Sequence, residues 1–113
     1  MSIINELDVL APFEIWEVLY GNQSIKFNTP LSLKPMRVPD DPDEPSEQEY
    51  YQVVYPQLAI DVFAENREEL LEAVHSCIRM NWKHYVQKDD SRLSPQTQAI
   101  KLAFLAVAEI VDE

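Results

Sequence analysis

The chain is poorest in glycine, cysteine and basic residues. One glycine in 113 residues leaves no room for a P-loop, a Gly-x-Gly-x-x-Gly dinucleotide fingerprint or a Gly-x-Ser-x-Gly nucleophile elbow, each of which needs at least two. One cysteine excludes an internal disulfide and a zinc site built from cysteines. Nine bases against 20 acids give a net charge of −11 and a pI near 4.4. That balance repels DNA, RNA and anionic membranes. The longest apolar run, Leu102 to Ala108, is seven residues, against the ~20 that a spanning helix needs. The first residues carry acid where a signal peptide carries base, so an exported chain is not expected. With a single thiol, the expectation is a cytoplasmic protein.

What is present suffices for a core. The chain is 46% apolar, and its length is that of one domain, residues 1–113. The first half reads as strands. Glu14 to Tyr20 is rich in β-branched and aromatic residues, and Ser24 to Asn28 alternates, with Ile25 and Phe27 on one face. Between them Gly21-Asn22 is a turn pair with glycine first, as a type II′ hairpin requires. Strands are predicted at 13–20 and 24–29. Leu31 to Val38 is extended, confined by Pro30, Pro35 and Pro39 to an edge or a loop.

Residues 40–49 hold six acids and two prolines, and read as an acidic, proline-rich solvated loop. Without them 14 acids face 9 bases, so more than half of the charge imbalance lies in this loop. Two further strands, 50–55 and 57–63, are broken at Pro56.

The second half reads as helix. Asn66 has capping chemistry, with Glu69 three residues on. From there Leu70, Leu71, Val74, Cys77, Ile78, Asn81, Trp82 and Tyr85 share one side of a helix over 66–86. Asn81 is the polar member of that stripe. Buried without a hydrogen-bond partner it would cost ~1–3 kcal/mol; otherwise the helix end lifts off the sheet and solvent takes it. Ser94-Pro95 opens a last helix over 95–111. There Ile100, Phe104, Val107, Ile110 and Val111 form one wide face, while Leu102 and Leu105 project from nearly the opposite side. That back face meets either a second subunit or the N-terminal segment (Ile3, Ile4, Leu7, Val9, Leu10).

The search for chemistry is mostly eliminative. Cys77 and His75 are two residues apart and face away from each other on a helix. Cys77 and His84 lie about 10 Å apart along it at ~1.5 Å per residue, too far for a thiol–imidazole pair. Asp41, Asp43 and Glu44 lack the glycine and terminal glutamate of a calcium loop. Asp61 with Glu65, Glu68 and Glu69 offers carboxylates, as any chain this acidic does. Lys83, His84, Lys88 and Arg92 form a loose basic cluster interrupted by Asp89 and Asp90. No catalytic set, metal site or cofactor is expected.

One stretch resembles a known family. Tyr55-Pro56-Gln57-Leu58 matches an aromatic-Pro-x-Leu strand end, and Asn66-Arg67-Glu68-Glu69-Leu70-Leu71 is similar to a Thr-x-Glu-Glu-Ala-type helix start. Over residues 51–82 the chain thereby resembles the sheet-and-helix unit of HicB-type antitoxins. It departs from them in Ala64-Glu65, where they carry glycine, and in the acidic insertion. The resemblance implies a small sheet with one packed helix that is oligomeric and binds a protein.

The expected fold is therefore α+β: an antiparallel sheet of about four strands with two C-terminal helices packed on one face. The expected function is a small protein-interaction or regulatory module without a catalytic centre. It would form a homodimer through Leu102 and Leu105, and its acidic surface suits a basic protein partner or mimicry of a nucleic acid. The alternative is a small-molecule-binding domain or enzyme. Its pocket between sheet and first helix would be lined by Trp16, Tyr55, Phe63, Asn81, Trp82 and Tyr85.

Overall fold

A computed structural model describes residues 10–38 and 50–112. The predicted acidic loop at 40–49 and nearly all of the N-terminal apolar segment lie outside these residues.

The fold is α+β. Among the described residues six strands form two antiparallel sheets of three, in the orders β1-β2-β6 and β3-β4-β5. The strands are β1 (Phe13–Tyr20), β2 (Gln23–Leu33), β3 (Met36–Val38), β4 (Tyr50–Tyr55), β5 (Ile60–Ala64) and β6 (Ala108–Asp112). The helices are α1 (Arg67–Asn81), which widens into a π-helical turn at Trp82–Val86, and α2 (Pro95–Val107).

The β1–β2 hairpin turns at Gly21, which takes φ 62 while Asn22 keeps a negative φ, as the type II′ pattern requires. β2 runs longer than the predicted 24–29. It pairs with β1 twice, through Tyr20↔Gln23 to Glu17↔Lys26 and again through Ile15↔Leu31 to Phe13↔Leu33. Between the two ladders β2 spends four residues, Phe27 to Pro30, against the single Trp16 of β1. Pro30 has no N–H to give a ladder, and an irregularity is where a strand tolerates one.

Two further boundaries differ from the sequence reading. The segment after Pro56 is not strand from 57: Pro56–Leu58 make a 3₁₀ turn. Ala59 then enters the left-handed region at φ 55, and β5 begins at Ile60. The predicted helix over 95–111 stops at Val107. Ala108 is extended, and Ala108–Asp112 pair with Phe27–Gln23 of β2. The β-branched pair Ile110-Val111 packs well against a pleated surface and less well on a helix. The helix starts are as read: Asn66 Oδ1 accepts the Glu69 N–H at 2.9 Å, and Ser94 Oγ accepts that of Thr97 at 3.3 Å.

One apolar core joins the layers. Val18 and Ile25 of the first sheet, Val53 and Ile60 of the second, Leu70, Val74 and Ile78 of α1, and Phe104 of α2 are all buried. Trp82 meets Phe104 edge to face, with centroids 6.0 Å apart, and so ties α2 to the end of α1. The helices thus do not cover one face of one sheet. α1 packs on β4 and β5 and also runs beside β1, while α2 sits against the π-turn, the 3₁₀ turn, β2 and β6.

Candidate functional site

α1 is the element that positions everything else, because each of its flanks holds a different sheet. On one flank Arg67 Nη1 donates to the Ala11 carbonyl at 2.6 Å, and its guanidinium lies 4.1 Å from the centroid of the Phe13 ring. Arg79 Nη1 reaches the Leu19 carbonyl at 3.4 Å. Residues 67 to 79 therefore run in the same sense as 11 to 19. Arg79 thus meets β1 near its end, and Arg67 meets the residues that lead into it.

The opposite flank holds the turn before β5. Asn81 Nδ2 donates to the carbonyls of Leu58 at 2.9 Å and Ala59 at 3.0 Å. Cys77 Sγ lies 3.7 Å from the same Ala59 carbonyl and 3.6 Å from Asn81 Nδ2. Asn81 is only 8% exposed, so the helix end does not lift off. The polar residue of the apolar stripe is there to satisfy two turn carbonyls that no ladder reaches.

The titratable groups of α1 follow from this packing. Burial pushes the Cys77 thiol up, more than the hydrogen bonds from the backbone and Asn81 pull it down. The thiol therefore stays protonated and poorly nucleophilic. His75 is pushed below its ordinary value, first by burial and then by the Arg79 charge, with Glu72 opposing. Among the described residues no group of three or more His, Cys, Asp or Glu side chains could hold a metal ion. No helix among them is long and apolar enough to cross a membrane.

The six residues predicted to line a pocket are not brought together. Asn81 and Trp82 are buried, the first bonded to the turn and the second packed on Phe104. Tyr55 and Tyr85 are half-buried. Trp16, on β1 opposite the bulge of β2, is 58% exposed, and Phe63 is 65% exposed. Phe63 pairs with Gln52 on the face of the second sheet opposite that of buried Val53 and Ile60, hence away from α1.

The predicted interface residues are placed as a pair. Leu102 is 67% and Leu105 49% exposed on α2, flanked by exposed Ala99 and Ala106. Lys101 beside them is drawn back to Asp90 Oδ1 at 2.9 Å and the Lys88 carbonyl at 2.7 Å. No charge therefore interrupts the strip.

Sequence reasoning missed a second exposed apolar surface. On the outer face of the β3-β4-β5 sheet, Met36, Gln52 and Phe63 form one cross-strand row, and Val54 pairs with Asp61 in the next. Met36, Val54 and Phe63 are all exposed. The signal lay in the alternation of residues 60–64, whose odd members Asp61 and Phe63 were the outward ones. Searches against family models, curated proteins and solved structures find no match to this chain.

Proposed function

We infer that the chain is a small protein-interaction module, without a catalytic centre of its own, that self-associates through α2 and binds a basic protein. The observation that carries this reading is the uninterrupted apolar strip of Ala99, Leu102, Leu105 and Ala106 on α2. The opposite side of the same helix spends Phe104 on the core. A contiguous apolar strip on an otherwise acidic chain is the mark of an interface, and an isologous pair of such helices is the simplest closed arrangement.

The excess of acid supports a basic partner, since complementary charge speeds encounter and rejects like-charged competitors. The resemblance of residues 51–82 to HicB-type antitoxins points the same way, toward a protein that binds another protein in the cytoplasm. The test of the first half is light scattering across a concentration series. The native chain should behave as a dimer, and Leu102→Glu with Leu105→Glu as a monomer with an unchanged far-ultraviolet spectrum. A native chain that stays monomeric at high concentration overturns self-association through α2.

A further inference from the structure

We propose that the outer face of the β3-β4-β5 sheet binds an arginine side chain of the basic partner, with its guanidinium laid on the Phe63 ring and paired with the Asp61 carboxylate. The inference deepens the reading above and rests on its basic-partner half alone.

Alternation builds this face. Val53 and Ile60 turn inward and are buried, so Gln52, Val54, Asp61 and Phe63 turn outward. Met36 joins them from β3, opposite Gln52. Gln52 Nε2 donates to Asp61 Oδ1 at 2.8 Å, a bond between neighbouring strands that places both side chains on the same face. Phe63 belongs to the same group: it is the cross-strand partner of Gln52 and stands two residues from Asp61 on β5. At about 3.3 Å of rise per residue, the Asp61 and Phe63 side chains leave the sheet roughly 7 Å apart. A planar guanidinium stacked on the ring therefore keeps an N–H edge toward the carboxylate.

The chemistry selects a cation. Phe63 is 65% exposed, and the face of an aromatic ring is electron-rich. Asp61 is exposed, and Gln52 holds its carboxylate through one oxygen, while a carboxylate accepts at both. A side chain already held loses less rotamer freedom when it pairs. Exposed Glu65 follows just past the strand, and residues 61–72 contain five carboxylates and one base, Arg67. Exposed Met36 and Val54 offer apolar surface to the aliphatic stem of the guest. Arginine fits better than lysine, because its planar fork stacks and pairs at once, whereas an ammonium is a strongly hydrated point charge.

Other guests suit the face less well. A nucleobase also stacks on an aromatic ring, but it brings a phosphate to the carboxylates. A second copy presenting the same face sets Asp61 against Asp61.

The test titrates the full chain with blocked Gly-Arg-Gly-Arg-Gly and with Gly-Lys-Gly-Lys-Gly, which carries the same charge. The arginine peptide should move the Phe63 ring and Gln52 side-chain amide resonances. It should bind about threefold more tightly than the lysine peptide, and Phe63→Leu should remove that preference. Asp61→Asn keeps an acceptor for Gln52 and loses only the charge, and should weaken the arginine peptide about threefold. Glu14→Gln makes the same loss on β1 of the other sheet and should leave binding nearly unchanged. Phe63 and Asp61 are exposed, so neither substitution opens the core, and the native preference is read without any variant.

Equal binding of both peptides, or equal weakening by Asp61→Asn and Glu14→Gln, overturns this site in favour of unspecific charge attraction. So do resonance shifts that centre on other residues. Each of these outcomes leaves the basic-partner reading standing, whereas a native chain that binds neither peptide overturns both.

Discussion

The two sheets have the same size and the same antiparallel order, yet α1 holds them by different chemistry. The β1-β2-β6 sheet is held at its edge by two long arginine side chains reaching backbone carbonyls. The β3-β4-β5 sheet is held from inside, by a buried asparagine on a strained turn. The first attachment bonds the two ends of β1, at Ala11 just before it and at Leu19. The second spends its hydrogen bonds on the turn, and on the outer face of that sheet Met36, Val54 and Phe63 are exposed.

The largest test breaks both attachments at once. Ile78 is fully buried on α1, so Ile78→Ala should cost about 2–5 kcal/mol in urea unfolding. Amide protection should fall in β1 and β5 together; loss in one sheet alone would show that they do not share this core.

Asn81→Ala should be more selective. It leaves the Leu58 and Ala59 carbonyls without their donor, a loss of about 1–3 kcal/mol. Exchange should quicken at 56–64 before it does in β1. Arg67→Ala is the counterpart on the other flank. It removes a part-buried hydrogen bond and a cation–π contact, about 1 kcal/mol, and should loosen β1 first. If both variants loosen the same strands, the two-flank description fails.

His75 supplies a pH test on the same helix. Its folded value lies below 6.5, so between the two values the unfolded chain binds more protons and stability rises with pH. The contribution is whole above pH 6.5 and is lost as pH falls through the folded value. Thermal unfolding followed from pH 7.5 to 5 should show this slope, and His75→Gln should flatten it. The smallest effect belongs to Ala59. Its φ of 55 is costly for a residue with a Cβ. Ala59→Gly should stabilise by about 0.5 kcal/mol after the added freedom of the unfolded chain is subtracted. A loss of stability would mean that the turn is not strained.

Much of this was legible in local pattern. The caps Asn66 and Ser94, the apolar stripe of α1 and the Gly21 turn each depend on neighbours within four residues, and each stands where the sequence puts it. The role of Asn81 was visible only as an anomaly, because its partners lie 22 and 23 residues away. The end of α2 was misread because Ala108 to Val111 are as apolar as the helix before them. What makes them a strand is the waiting edge of β2, a contact across more than eighty residues. The outer face of β5 was misassigned for the same reason: alternation tells that two faces differ, not which one meets the helix.

By itself, then, the sequence determined the α+β class, the helix starts and the amphipathic α1, since these follow from composition, spacing and hydrogen bonds closed within a turn. Only the tertiary structure decided that the strands divide into two sheets, that β6 exists and that Phe63 faces away from α1. Pairing between strands distant in sequence is settled by which edges and faces meet when the core closes, and no local pattern carries that information.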